Sequence, residues 1–158
     1  MKHWLSLIST KPVASLNTLW YFVSHHPGEQ LGTITLFCDR TLRSHSAWFR
    51  EQVIILLKYH QRKEPIIKEV FIDPIDIDSF RKSLKKTIAQ CDAPLIMDIT
   101  SGRKLHSALM LLFGELNPGV VEHIYYNFLK SPQFINCVYP NIPSGMMEIV
   151  DLKEKSTR

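Results

Sequence analysis

Three features of the sequence predict an α/β fold, a three-layer sandwich with helices on both faces of a mostly parallel sheet. Strand-like and helical segments alternate, the turns between them are short, and Pro94–Ile99 is a near-continuous apolar run suited to a sheet centre covered on both sides. Right-handed crossovers then give the strand order 3-2-1-4-5, with one more strand at an edge.

In chain order, Trp4–Ile8 is a short apolar run (β1). Ser15–Val23 places Leu16, Leu19, Trp20 and Val23 at helical spacing (α1), with Ser15 as its expected cap and His25-His26-Pro27-Gly28 as its stop. Thr33–Cys38 is rich in β-formers (β2). Ser46–Tyr59 has Phe49, Val53, Leu56 and Leu57 on one face (α2), and Ile66–Ile72 forms β3. Asp78 is the expected cap of a helix over Ser79–Gln90 (α3), apolar through Phe80, Leu84 and Ile88. Its other face carries Arg81, Lys82, Lys85 and Lys86, which reads as a solvated surface. Pro94–Ile99 is β4. Leu105–Leu116 (α4) is apolar almost throughout and ends at Asn117-Pro118-Gly119. Val120–Phe128 (β5) and Met147–Leu152 (β6) close the chain, β6 expected antiparallel because only a loop separates the two.

Length and composition bound the function. The 158 residues fit one domain, 1–152, with a polar tail over 153–158, and the 45% hydrophobic and 22% charged content is that of a globular chain. No apolar run approaches the roughly 20 residues of a membrane helix, and the apolar stretch at the N-terminus is short for a signal peptide. Cys38, Cys91 and Cys137 are odd in number and widely spaced, so they form neither a disulfide framework nor a metal knuckle; reduced thiols and a cytoplasmic location are expected. His25-His26 has no third ligand at metal spacing. A net charge of +4 is too small for coating long nucleic acid but suits a small anion if the cations converge.

In a sheet of this order, ligands bind outside the carboxyl ends of β1 and β4, at the topological switch point. That rule selects Ser9-Thr10-Lys11-Pro12 and Thr100-Ser101-Gly102-Arg103-Lys104. Both segments combine hydroxyls, a cation and a following helix N-terminus, whose free N–H groups and positive dipole end attract phosphate. Gly102 allows close backbone approach, Arg103 offers a planar fork and Lys104 a point charge. Neither segment has the GxGxxG or GxxxxGK[ST] spacing, which disfavours NAD, FAD and P-loop nucleotide binding.

Ile8-Ser9-Thr10-Lys11-Pro12-Val13-Ala14 and Asp98-Ile99-Thr100-Ser101-Gly102-Arg103-Lys104-Leu105-His106-Ser107-Ala108-Leu109 resemble the two signature segments of CARF domains, the CRISPR-associated Rossmann-fold sensors of cyclic oligoadenylate. Ser9 stands where the family commonly has Gly, and Ser101 replaces the first Gly of its pair, while Lys104 matches the family's lysine by position. The resemblance implies a Rossmann-like domain that binds one cyclic oligoadenylate across the two-fold axis of a homodimer, with no cofactor. The apolar face of α4 is then covered by its twin, the alternative being a fully buried core helix. With only a polar tail after β6, the chain resembles the stand-alone ring nucleases that switch off type III CRISPR signalling. Such an enzyme needs no metal, because a ribose 2′-hydroxyl attacks the adjacent phosphate. On that resemblance Lys104, Ser9 and Thr10 are the catalytic candidates. Lys11, Pro12, Asp39, Arg40, Thr100, Ser101, Gly102, Arg103 and His106 are the binding candidates. The competing reading is a non-catalytic sensor acting through a separate effector; a nucleic-acid regulator lacks a helix-turn-helix or an aromatic-basic platform.

Other residues are weaker candidates. His45, in the loop after β2 with Arg40 and Arg43, is of a residue type suited to acid–base work but is more simply a solvated side chain. Asp98 is expected to brace the β4 loop, Asn127 and Lys130 to lie at the rim, and Trp4, Trp20 and Trp48 to serve core or interface.

Overall fold

The computed structural model describes residues 1–153. Strands β1 (Lys2–Leu7), β2 (Leu31–Asp39), β3 (Ile66–Ile72), β4 (Leu95–Asp98), β5 (Val121–Leu129) and β6 (Met147–Asp151) form a six-stranded sheet in the order β3-β2-β1-β4-β5-β6. Every neighbouring pair is parallel except β5 with β6, which is antiparallel, so the predicted order and the edge strand are both present. The helices are α1 (Pro12–His25), α2 (Arg43–Tyr59), α3 (Ile77–Ala89) and α4 (Lys104–Leu116). Of the polar tail expected over 153–158, all but Lys153 lies outside the described residues.

Alternation along each strand divides the core into two layers. Trp4, Ile34, Leu36 and Ile96 face Leu16, Leu19 and Phe22 of α1 and Phe49, Val53 and Leu56 of α2. Leu5, Leu7, Phe37 and Met97 face the other way, onto Phe80 and Leu84 of α3 and Met110 of α4. Trp4 is fully buried between Phe22 and Tyr125, its ring centroid 5.6 Å and 6.2 Å from theirs, and Trp20 and Trp48 pack on the same layer. At the far end of α1, the Arg62 guanidinium donates to the carbonyls of Pro27, Glu29, Val23 and His26, fixing the turn into β2.

Helix starts differ from expectation for local reasons. α1 opens at Pro12, where a missing N–H costs nothing and φ is already helical; Ser15 lies inside the helix instead of capping it. α2 opens at Arg43, after a 3₁₀ turn over Arg40–Leu42 whose cap, Asp39, accepts from the Thr41 N–H at 2.9 Å. The cap of α3 is Asp76, which accepts from the Ser79 N–H at 2.9 Å, while Asp78 sits in the first turn.

α4 is neither wholly buried nor wholly exposed. Gly114 lets the helix press onto β5, since a Cβ there would lie 2.5 Å from Ile124 Cδ1. Leu109 and Met110 are buried, yet Leu105, Leu112 and Leu116 are 52%, 50% and 66% exposed along one stripe.

β6 is clamped to β5 by His123, whose Nδ1 lies 2.5 Å from Asp151 Oδ2, and by the Ile124 N–H donating to Asp151 Oδ1 at 3.1 Å. The bond to Asp151 raises His123 above its ordinary 6.5. Burial pushes the Asp151 carboxyl up, but His123 and two backbone N–H groups outweigh it and hold it below 3.8. The His123 contribution is complete below 6.5 and lost as pH rises through its folded value. The Asp151 contribution is complete above 3.8 and lost as pH falls through its folded value. Hydrogen exchange protection of the β5–β6 ladder should therefore be greatest between these limits and weaken toward alkaline pH, a trend that His123→Gln removes.

Candidate functional site

β1 and β4 lie side by side, in register from His3↔Leu95 to Ser6↔Asp98, so their carboxyl-end loops meet at one point. A buried network builds the junction. Asp98, with no exposure, accepts from Ser6 Oγ at 2.8 Å and from the Thr100 N–H at 3.0 Å. Thr100 Oγ1 accepts from the Asn127 N–H at 2.9 Å and lies 3.1 Å from Thr18 Oγ1. Burial pushes the Asp98 carboxyl up, and hydrogen bonds from Thr100, Ser6 and Ser15 oppose that shift without cancelling it. Asp98 is thus the brace expected of it. The Thr100 hydroxyl is turned inward to β5 and α1, and Thr100 does not line the cavity above it.

Above this junction is a cavity of about 310 Å³, lined by Ser9, Thr10, Asp39, Gly102, Arg103 and His106 over an apolar floor that includes Leu7 and Ile8. Gly102 has φ +96°, and a Cβ would meet Leu7 Cδ1 at 2.7 Å and Leu7 Cβ at 3.0 Å, so both conformation and space require glycine. Arg103 is the N-cap of α4 and has no ion-pair partner among the described residues. The bond from the Thr41 backbone chiefly holds Asp39 below its ordinary value, with Arg103 adding to that effect. His106 is 2% exposed, edge-on to Phe80 at 4.6 Å, and its Nε2 has no partner among the described residues. Burial, then Arg103, lower its pKa, so the ring is neutral at pH 7 and open to one further hydrogen bond. Ser101 is 4% exposed with an unpartnered hydroxyl, but it sits beneath the loop and does not line the cavity.

The remaining candidates lie around this cleft. Ser9 Oγ accepts from the Lys11 N–H at 3.1 Å, shaping the turn into α1. Lys11, Thr10 and Lys104 are exposed; Lys11 and Lys104 stand at the starts of α1 and α4, outside the lining of the cavity. No carboxylate occupies the first turn of either helix. Pro12 lines a neighbouring cavity of about 240 Å³ with Val13, Ser44, His45 and Trp48. Arg40 and Arg43 lie over the Phe71 ring at 5.3 Å and 4.8 Å. Arg40 borders a third cavity of about 480 Å³ with Asp39, Asp73 and Pro74. Asn127 is buried, donating to the Ala14 carbonyl at 3.2 Å, and is no rim residue; Lys130 pairs with Glu148 at 3.3 Å. Sequence reasoning missed Thr41, Leu42, Ile72 and Pro74, which also line the main cavity. Asp73-Pro74 ends β3 at the same carboxyl edge, and that was the available signal.

Gly102→Ala should lower stability by about 1–2 kcal/mol, the cost of placing a side chain at positive φ. Thermal melts check this, with Gly119→Ala, in open space, as the control.

No family model and no curated protein matches this sequence. Solved structures do. Can2 from Sulfobacillus thermosulfidooxidans, in complex with cyclic tetra-adenylate, matches at 13% identity and TM-score 0.56 over 80% of this chain and 32% of that one. Csm6 of Enterococcus italicus, bound to cyclic hexa-2′-fluoro-hexa-dAMP, matches at 16% identity and TM-score 0.63 over 96% of this chain and 41% of that one. The chain thus spans well under half the length of either protein. The six-stranded, mostly parallel sheet with helices on both faces is a Rossmann-like fold, and it is a fold this chain shares with both structures.

Proposed function

We propose that this protein binds a cyclic oligoadenylate, cyclic tetra-adenylate foremost, across the two-fold axis of a homodimer, and cleaves it as a metal-independent ring nuclease that switches off type III CRISPR signalling. The observation that carries this reading is the cleft: the β1 and β4 loops converge on one cavity, with Arg103 and two helix starts free of carboxylates. Fold likeness to two proteins solved with cyclic oligonucleotides supports it. A ring of identical nucleotides has the symmetry of an isologous dimer, and the exposed Leu105, Leu112 and Leu116 stripe on α4 is a surface that a second copy would cover.

In the proposed reaction a ribose 2′-hydroxyl attacks the adjacent phosphorus and gives up its proton. The bond to the 5′-oxygen breaks, that oxygen takes a proton, and a 2′,3′-cyclic phosphate remains. The protein's part is to hold the attack in line and to stabilise the charge growing on the phosphate. Arg103 and Lys104 supply the positive charge opposite it, while Ser9 and Thr10 orient the ribose or phosphate together with the N–H groups of Thr10 and Gly102. A second reading, binding without turnover in service of a separate effector, is favoured by one observation. Ser9 Oγ is already engaged by Lys11, and neither Thr10 nor Lys104 touches a base among the described residues.

Incubation with cyclic tetra-adenylate in EDTA should yield linear di-adenylate ending in a cyclic phosphate, and Lys104→Ala should abolish it. An intact ring at excess protein, with binding retained by calorimetry, selects the sensor reading; no binding overturns both. Arg103→Ala should weaken ring binding about tenfold or more, the usual loss for a charge-assisted contact. Leu112→Glu should convert dimer to monomer in sedimentation equilibrium.

A further inference from the structure

The cavity at the switch point has two chemically distinct ends. On the β1 and β4 side it is lined by Ser9, Thr10, Gly102 and Arg103. On the β2 and β3 side its wall is Leu42, Ile72 and Pro74, three half-buried apolar side chains. Hydroxyls and a guanidinium suit a sugar and a phosphate, whereas an apolar wall with a few convergent polar groups suits a nucleobase. Two such polar groups line the same cavity: Asp39 at the end of β2 and His106 in the first turn of α4.

His106 is nearly fully buried, and its Nε2 has no partner among the described residues. The ring packs edge-on to Phe80 at 4.6 Å, and Phe80 lies edge-on to Phe37 of β2 at 5.3 Å. An apolar side chain would suit such surroundings without leaving a polar atom unsatisfied. A polar ring kept there, on the wall of an open cavity, points to a partner that arrives with a ligand. Asp39 is positioned by its own turn: Oδ1 accepts from the Thr41 N–H at 2.9 Å, and no ion pair engages the carboxylate among the described residues. An ionised carboxylate only accepts and has lone pairs for further donors, while a neutral imidazole carries one N–H.

We propose that the β2 and β3 end of the cavity holds the base, and that Asp39 and His106 determine its specificity. Asp39 accepts from the exocyclic amine of a 6-aminopurine, and His106 donates to N1, the ring nitrogen beside that amine. The proposal rests on the cyclic oligoadenylate reading above and adds to it the residues that select adenine. Hypoxanthine places a carbonyl oxygen where adenine has its amine. A carboxylate has no proton to offer that oxygen, so the exchange of one group on the base sets two acceptors against each other. Asp39→Asn reverses this, because its amide oxygen can still accept from Thr41 while its N–H is offered to the carbonyl.

The probes are cyclic tetra-2′-deoxyadenylate and its hypoxanthine counterpart. Neither can be cut by 2′-hydroxyl attack, so calorimetry on the full chain reads binding apart from any cleavage. The adenine ring should bind about tenfold or more tightly than the hypoxanthine ring, and Asp39→Asn should lower that ratio about tenfold. His106→Phe should weaken the adenine ring about tenfold while raising the melting temperature, and His106→Gln should keep most of the binding. Equal affinity of the unaltered protein for both rings, or a ratio untouched by Asp39→Asn, overturns the selection by Asp39. Unchanged binding in His106→Phe, or lost binding together with a lowered melting temperature, overturns the role of His106. If neither ring binds, adenosine and inosine 5′-monophosphates take their place. An adenine preference that Asp39→Asn removes then keeps the base site and overturns only the ring reading; no preference overturns both.

Discussion

The switch point depends on one carboxylate buried at the centre of the sheet. Asp98 has no contact with solvent, yet it is held by Ser6 from β1 and by the Thr100 N–H from its own loop. Leaving either donor unsatisfied in that environment would cost about 1–3 kcal/mol. Thr100 extends the same chain of bonds to β5 and α1. Three strands and a helix are therefore fixed relative to one another by polar contacts that admit few alternatives, and the cleft inherits that geometry. The apolar layers supply the bulk of the stability on either side, but they are tolerant of small shifts in a way that this network is not.

Much of this was legible in the sequence because period and punctuation are strong signals in doubly wound folds. Ile66–Ile72 is found at its predicted bounds, and Pro94–Ile99 contains the observed β4 with one extra residue at its end and one at its start. Helix starts were less legible. Ser15 and Asp78 are both good capping residue types, but α1 already opens at Pro12, which fits a first helical position, and the Asp76 carboxylate takes the Ser79 N–H of α3. The α2 start was hidden for a different reason, since Asp39 caps a short 3₁₀ turn before the helix proper begins.

The cleft was legible in part. The switch-point rule and the loop chemistry bring Ser9, Thr10, Asp39, Gly102, Arg103 and His106 together around one cavity. They do not reveal side-chain direction. Thr100 and Ser101 lie in the right loop yet do not line the cavity: the Thr100 hydroxyl is taken up by the Asn127 N–H and Thr18, and the Ser101 hydroxyl is buried without a partner among the described residues. The β3 end was overlooked because, in the strand order, it is two places from β1, yet Ile72 and Pro74 at that end stand in the cavity wall.

The contact between Gly102 and Leu7 makes the two loops mechanically a single part. Leu7 fills the space a side chain would take at residue 102, so the end of β1 is the surface on which the β4 loop rests. Neither loop can lift or twist without either opening a void under the glycine or driving the backbone into the leucine. A ligand that grips only the α4 side thereby also sets the position of the α1 side, and the entropy of ordering the cleft is spent once. Leu7 at the end of β1 and Gly102 in the loop after β4 are thus one packing unit, though 95 residues separate them in the chain.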